Sequence, residues 1–220
     1  MKLLSVNLAR AIWVFSLQEL NPYGKYAGYA LVKGLVDKYG FSKSPTTHEE
    51  MDDTKGIQFR DGQFTLPSGE SIILLGLTIY NWGLVVDTRS STQNSEACIK
   101  DGLDWAVHEF GLAAYDDIIR SKSYLSEVHV RTDKTLDSLN PKLKPFADKL
   151  TLLVKGHGPM SYKTGGISFW NDPATNNLNF PFRFERVEST QFNENRYYSV
   201  APLETDSHLE MLNELENILS

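Results

Sequence analysis

The stretch with the most chemical promise is LVVDTRSSTQNSE, residues 84–96. An apolar run ends at Asp87, and a polar turn with Arg89 and four hydroxyls leads into a helical pattern. The start of a helix offers unpaired N–H groups and a partial positive charge, and an arginine can add a bidentate contact. Arg89, Ser90, Ser91 and Thr92 therefore form a candidate anion site. The turn lacks the glycines that let a backbone wrap a phosphate, so it is neither a P-loop nor a Rossmann turn. Ser, Thr and Asn are also the ordinary capping residues, and in that reading Arg89 is simply a surface side chain. Asp87 at a strand end would suit phosphoryl transfer. That chemistry asks for a second carboxylate and a divalent metal, and no D-x-D pattern is present.

Charge supplies a second candidate. The chain carries 22 basic and 28 acidic residues, a formal net charge of −6, which disfavours a sequence-blind nucleic-acid binder. The charge is unevenly spread: residues 1–119 carry −5, residues 120–163 carry +5 and residues 164–220 carry −6. The basic segment, with Lys142, Lys144 and Lys149 at its centre, could form a local anion-binding patch for a nucleotide or nucleic acid. It has only two arginines, Arg120 and Arg131, and lacks the interleaved aromatics that stack on bases. The plainer reading is a solvated face whose cations pair with the acidic flanks.

The remaining chemistry-bearing residues are scattered. His48 to Asp53 (HEEMDD) gathers metal-compatible types but is not H-E-x-x-H, and an acidic loop explains it. No metal or other cofactor is expected. His129 lies between Val128 and Val130 on a strand pattern and could belong to a sheet surface or to a site with Asp87 and Arg89. Glu127, Asp133 and Lys134 do not give the acid-x-Lys spacing of a strand-borne nuclease site, because neighbours on a strand face opposite ways. Cys98 sits early in a helix; it is either a reactive thiol at a helix start or a buried structural one. Gly156-His157-Gly158-Pro159 and Gly165-Gly166 read as the end of a helix and the turn into a strand, or as a loop over a site.

Surfaces for partners are the third candidate. Trp82 falls in a tight turn, where burial is hard, and an exposed Trp can anchor an interface. The C-terminal helix, about residues 206–219, puts Leu209, Leu212, Leu215, Ile218 and Leu219 on one side and glutamates on the other. At this length it is marginal alone and must dock, either on its own sheet or on a partner through Leu212, Leu215 and Leu219.

The elements that must position these groups follow from the periodicity. Residues 3–17 read as a strand, covered on both faces in its second half. Asn21-Pro22 starts a helix that Gly40 stops, and its Gly28 and Gly34 imply close packing against a neighbour. From Gly56 to Thr88, turn signals at Asp61-Gly62, Pro67-Ser68-Gly69 and Asn81-Trp82-Gly83 separate four antiparallel strands. A helix follows with its cap among Ser91, Thr92, Asn94 and Ser95, and Gly111 ends it. A strand follows at 124–132, then a helix after Pro145 with Phe146, Leu150, Leu153 and Val154 inward. Strands at 165–170, 179–188 and 196–200 precede the last helix.

The whole is an α+β fold, a single domain over residues 1–220. Its sheet is largely antiparallel, with a mixed sheet as the alternative, and about four helices pack on it. Hydrophobic residues at 41% and charged residues at 23% are globular values, which excludes a disordered chain or a fibre. No internal sequence repeat is visible. A single cysteine allows no internal disulfide, Asn7 and Arg10 interrupt the N-terminal apolar run, and no stretch is long enough for a membrane span, so the expected location is the cytoplasm, with no membrane partner. The reading that follows is a non-catalytic interaction or assembly component, binding another protein or itself as an oligomer. The alternative is a binder, or a hydrolase, of an anionic ligand through Arg89–Thr92 and the basic segment.

Overall fold

The computed structural model describes residues 1–21, 28–154, 161–172, 174, 180–188 and 190–219. The expected helix start at Asn21-Pro22, the Gly156–Pro159 stretch and Lys155 fall wholly or partly outside them. In chain order the elements are β1 (Lys2–Val14), α1 (Leu17–Leu20), α2 (Gly28–Tyr39), β2 (Ile57–Thr65), β3 (Ser71–Tyr80), β4 (Gly83–Thr88) and α3 (Thr92–Phe110). Then come β5 (Ser121–Arg131), α4 (Lys144–Leu153), β6 (Gly166–Phe169), β7 (Phe182–Arg186), β8 (Arg196–Ala201) and α5 (Thr205–Ile218). This is an α+β fold. Its strands form one antiparallel sheet in the order β2-β3-β4-β1-β5-β8-β7-β6. No helix of the described residues is long and apolar enough to cross a membrane.

Although no repeat shows in the sequence, the element order repeats. If α1 and α2 are taken together, strand, helix, three strands and helix run from β1 to α3 and again from β5 to α5. Outward from β1 the sheet reads β4, β3, β2, and outward from β5 it reads β8, β7, β6. Contacts divide the chain into two units: Val6–Ser126 with Pro202–Thr205, and Met1–Ser5 with Glu127–Ala201 and Asp206–Ser220.

In the Val6–Ser126 unit the second half of β1 alternates, where the sequence predicted cover on both faces. Ala9, Ala11 and Trp13 are buried while Arg10, Ile12 and Val14 are only half covered. The core is apolar throughout, with Phe41, Phe59, Phe64, Leu74, Leu77 and Val86 at its centre. Helix α2 turns Val32, Leu35 and Tyr39 inward, a spacing of three and four residues that makes one helical face. Gly34 carries out the expected close packing, since a Cβ there would lie 2.7 Å from the Trp105 ring of α3, but Gly28 does not, because it is exposed and a Cβ there would meet nothing within 4 Å. Helix α3 begins where Ser91 accepts the Asn94 N–H and ends at Gly111, whose φ of 62° is left-handed.

One turn signal misled. Asp61-Gly62 does not end a strand. It lies within β2, where Asp61 takes φ 57° beside the stretch of β3 that bulges around Leu75. Three strands, not four, therefore separate α2 from α3. The glycine at 62 answers to packing, because a Cβ there would lie 2.6 Å from Phe41.

In the second unit, β6 and β7 are only four and five residues long. Phe184, Tyr197, Val128 and Val130 are buried there, together with Leu136, Leu212, Leu215 and Leu219. Helix α4 departs from expectation. Of its supposed inward residues Leu150 and Val154 are half-buried, but Phe146 and Leu153 are exposed, and no residue of the helix is fully buried. The inward face is instead Ala147, Leu150, Thr151 and Val154. Thr151 spends its hydroxyl on the chain: it donates to the Ala147 carbonyl at 2.9 Å and accepts the Tyr162 N–H at 3.0 Å.

Candidate functional site

The turn between β4 and α3 is the first candidate. Its hydroxyls are spent on the chain itself. Ser91 caps Asn94 (N to Oγ, 3.2 Å), and Ser90 Oγ accepts from the Asn94 side-chain amide at 2.7 Å. The N–H of Thr92 donates to Thr205 Oγ1 at 3.0 Å, and the N–H of Thr205 donates to Thr92 Oγ1 at 2.8 Å. The first residues of α3 and α5 thus cap one another, both buried. The N–H groups an anion would need at Thr92 and Asn94 already have partners. Arg89 is exposed on the same turn.

Asp87 is held on β4 by Arg10, its direct partner across β1. The guanidinium donates to both carboxylate oxygens, at 2.7 and 2.8 Å. A bidentate pair of this geometry locks the carboxylate as an acceptor and takes it out of use as a nucleophile. His129 belongs to the other unit, where its ring sits 5.5 Å from that of Tyr198 in an edge-on contact. Glu127 on the same strand accepts the Tyr198 hydroxyl at 2.5 Å, and burial, then Glu127, drives that phenol well above its usual range. The acidic loop at 48–53 is tied up locally. Glu50 accepts the N–H groups of Thr46 and Thr47, Asp52 accepts from Thr54, and both carboxyls fall below their ordinary pKa through these bonds.

The basic segment separates into paired and unpaired cations. Arg120 donates to Glu19 at 2.8 Å, and Lys122 reaches Glu96 at 2.6 Å with its ammonium 4.0 Å over the Trp13 ring. Tyr124 also donates to Glu96, and burial followed by that carboxylate pushes its phenol up to about 12. By contrast Lys142, Lys144 and Lys149 are exposed on and just before α4 and have no ion-pair partner among the described residues.

Two side-chain clusters escaped the sequence reading, one partly and one fully buried. Tyr39 on α2 donates to Asp101 at 2.6 Å, and Lys38 approaches the same carboxylate at 2.9 Å. Beside them the Cys98 thiol is buried and pushed up to about 12, first by desolvation and then by Asp101, so it stays protonated at neutral pH. The second cluster joins β8 to α5: Ser199 Oγ lies 2.9 Å from His208 Nε2 and 2.8 Å from the Arg183 carbonyl. A serine beside a histidine invites a nucleophile reading. Here the hydroxyl proton goes to the Arg183 carbonyl, so His208 must donate from Nε2, and its Nδ1 lacks a partner. Both residues are fully buried, and desolvation pulls the imidazole down to about 4. The pair is neutral and inaccessible. Periodicity carried a signal for it: Thr205, His208, Leu212, Leu215 and Leu219 recur on one helical face, which puts the histidine inside.

The partner surfaces divide as well. Leu212, Leu215 and Leu219 are buried within their own unit. Trp82 is exposed in its turn with its ring stacked on Tyr80 at 4.6 Å. In the Val6–Ser126 unit a mainly apolar cavity of about 150 Å³ is lined by Leu17, Leu20, Leu31, Met51, Ile57 and Leu112, with Asn21 and Asp53 also at its wall. The largest exposed apolar groups on any one helix belong to α4: Phe146 is 68% exposed, Leu152 76% and Leu153 65%. No protein-family model matches this sequence, and no curated protein matches it either.

Proposed function

We propose that this chain is a non-catalytic protein-interaction or assembly component whose working surface is α4. The observation that carries this reading is the exposure of Phe146, Leu152 and Leu153 on one short helix rimmed by Lys142, Lys144 and Lys149. Leaving a Phe or Leu side chain in water forfeits roughly 1.5–3 kcal/mol relative to burying it. Contiguous apolar surface with a polar rim is the usual mark of a contact site. The reading places the chain in the cytoplasm, where a lone buried thiol such as that of Cys98 stays reduced.

The test compares affinity-tagged wild type with a Phe146→Asp/Leu153→Asp variant. The expected result is that proteins retained by the wild type, copies of the chain itself included, are lost from the variant while its melting temperature is unchanged. An identical retained set would overturn the proposal.

A further inference from the structure

The partner that fits α4 is a second copy of this chain. We propose that α4 of one copy docks on the outer face of α5 of another; this rests on the interaction reading above and gives it an occupant. Phe146, Lys149 and Leu153 recur at i, i+3 and i+7, so they share one side of α4. Lys142, one helical turn before Phe146, extends that side with a second cation. Asp148, the acidic residue of α4, lies one step away around the helix.

The outer face of α5 repeats the arrangement with the opposite sign. Met211, Glu214 and Ile218 also recur at i, i+3 and i+7, and Met211 and Ile218 are 45% and 69% exposed. Asp206, Glu210 and Glu214 stand four residues apart and form an exposed acidic row. Glu216 is not part of this row, because it is bound by the Met1 amino group and Thr132. Glu210 and Glu214 have no ion-pair partner among the described residues, and neither does Lys149.

Each helix therefore presents apolar, charged, apolar at identical spacing, basic on α4 and acidic on α5. Side by side, Lys149 meets Glu214 while Phe146 and Leu153 meet Ile218 and Met211. Apolar flanks with a central charge pair are the working parts of helix–helix recognition. The net charge of −6 repels a second copy as it repels a nucleic acid or an anionic membrane, so local matching decides the occupant: the Met211, Glu214 and Ile218 face of α5 supplies apolar and acidic positions at the spacing of α4. The acidic complement that the α4 lysines need is carried by another copy at residues 164–220. A helix of ten residues is only about 15 Å long. One such contact falls short of the roughly 1,200 Å² of a stable interface, and reciprocal docking of both faces doubles the area.

The experiment is sedimentation of the purified full chain across a concentration series, at low and high salt. The expected result is a reversible dimer that weakens with salt. Lys149→Glu and Glu214→Lys each weaken it about tenfold, and the double swap restores it to near wild type. Phe146→Asp should abolish the dimer and leave the far-UV spectrum unchanged, because its side chain lies outside the core. A monomer at every concentration, a dimer indifferent to both charge reversals, or a double swap without restoration would each overturn the inference. If the purified chain is monomeric while tagged protein still retains other proteins through Phe146 and Leu153, self-association fails and the interaction reading stands. If nothing is retained either, both fail.

Discussion

Helices α2 and α4 hold the same place in the two passes of the chain, between the first strand and the following three. Helix α2 buries Val32, Leu35 and Tyr39 and sets Gly34 against Trp105, whereas α4 buries no residue fully. The strands that follow differ in the same direction. β2 and β3 are nine and ten residues long, β6 and β7 four and five. At about 3.3 Å per residue the second pair offers half the length. In that pass His208 of α5 already touches Ser199 of β8 and the ring of Phe182 of β7. In the same pass α4 leaves Phe146, Leu152 and Leu153 exposed. The same element order thus yields a closed core in one pass and an open surface in the other.

The comparison can be broken first at the inward face of α2. Leu35→Ala should cost about 2–5 kcal/mol of stability by chemical denaturation, the range for emptying a buried leucine site. Phe146→Ala in α4 should change stability by less than about 0.5 kcal/mol. Equal costs would show that α4 is packed after all.

The next effect is a pH dependence peculiar to the second pass. His208 has a folded pKa of about 4 against an ordinary 6.5. Between those values the unfolded chain binds the extra proton, so stability is fully present above pH ~6.5 and declines as pH falls toward ~4, by about 3 kcal/mol in all. The signal is read as denaturation midpoints from pH 7.5 to 4.0. His208→Gln should flatten the slope, and a slope unchanged in that variant would assign it to another group.

Gly34→Leu, which drives a side chain into Trp105, should cost about 1–3 kcal/mol by thermal melting. The smallest effect is expected at the mutual cap. Thr205→Ala removes the acceptor for the buried Thr92 N–H and should cost about 1 kcal/mol, measured the same way. A neutral result would mean that another acceptor serves this amide.

Much of this was legible in the residues. The cap of α3 among residues 91–95, its Gly111 stop, and the Leu212, Leu215 and Leu219 side of α5 each depend on near neighbours in the chain, and each appears where the sequence predicted it; Ile218, read as part of that side, is 69% exposed instead. The candidate site was less legible. Arg89–Thr92 read as an anion cradle because capping hydroxyls and anion-binding hydroxyls are the same side chains. Which use they serve was decided by Thr205, 113 positions away. Asp61-Gly62 carried a turn signature, yet Phe41 explains the glycine through a contact no local window contains. Asp87 gave no hint of Arg10 on a strand 77 positions distant.

The sequence by itself determined the α+β class, most element boundaries, the uneven charge and the inward Leu212, Leu215 and Leu219 of α5, because period, caps and composition are local properties. Tertiary structure alone decided that the Asp87 carboxylate and the Thr92 amide are spent within the chain and that Ser199 and His208 meet in a dry interior. It also decided that Phe146 and Leu153 point outward. Burial depends on what packs against a helix, and that is set by distant segments that residues 144–153 do not encode.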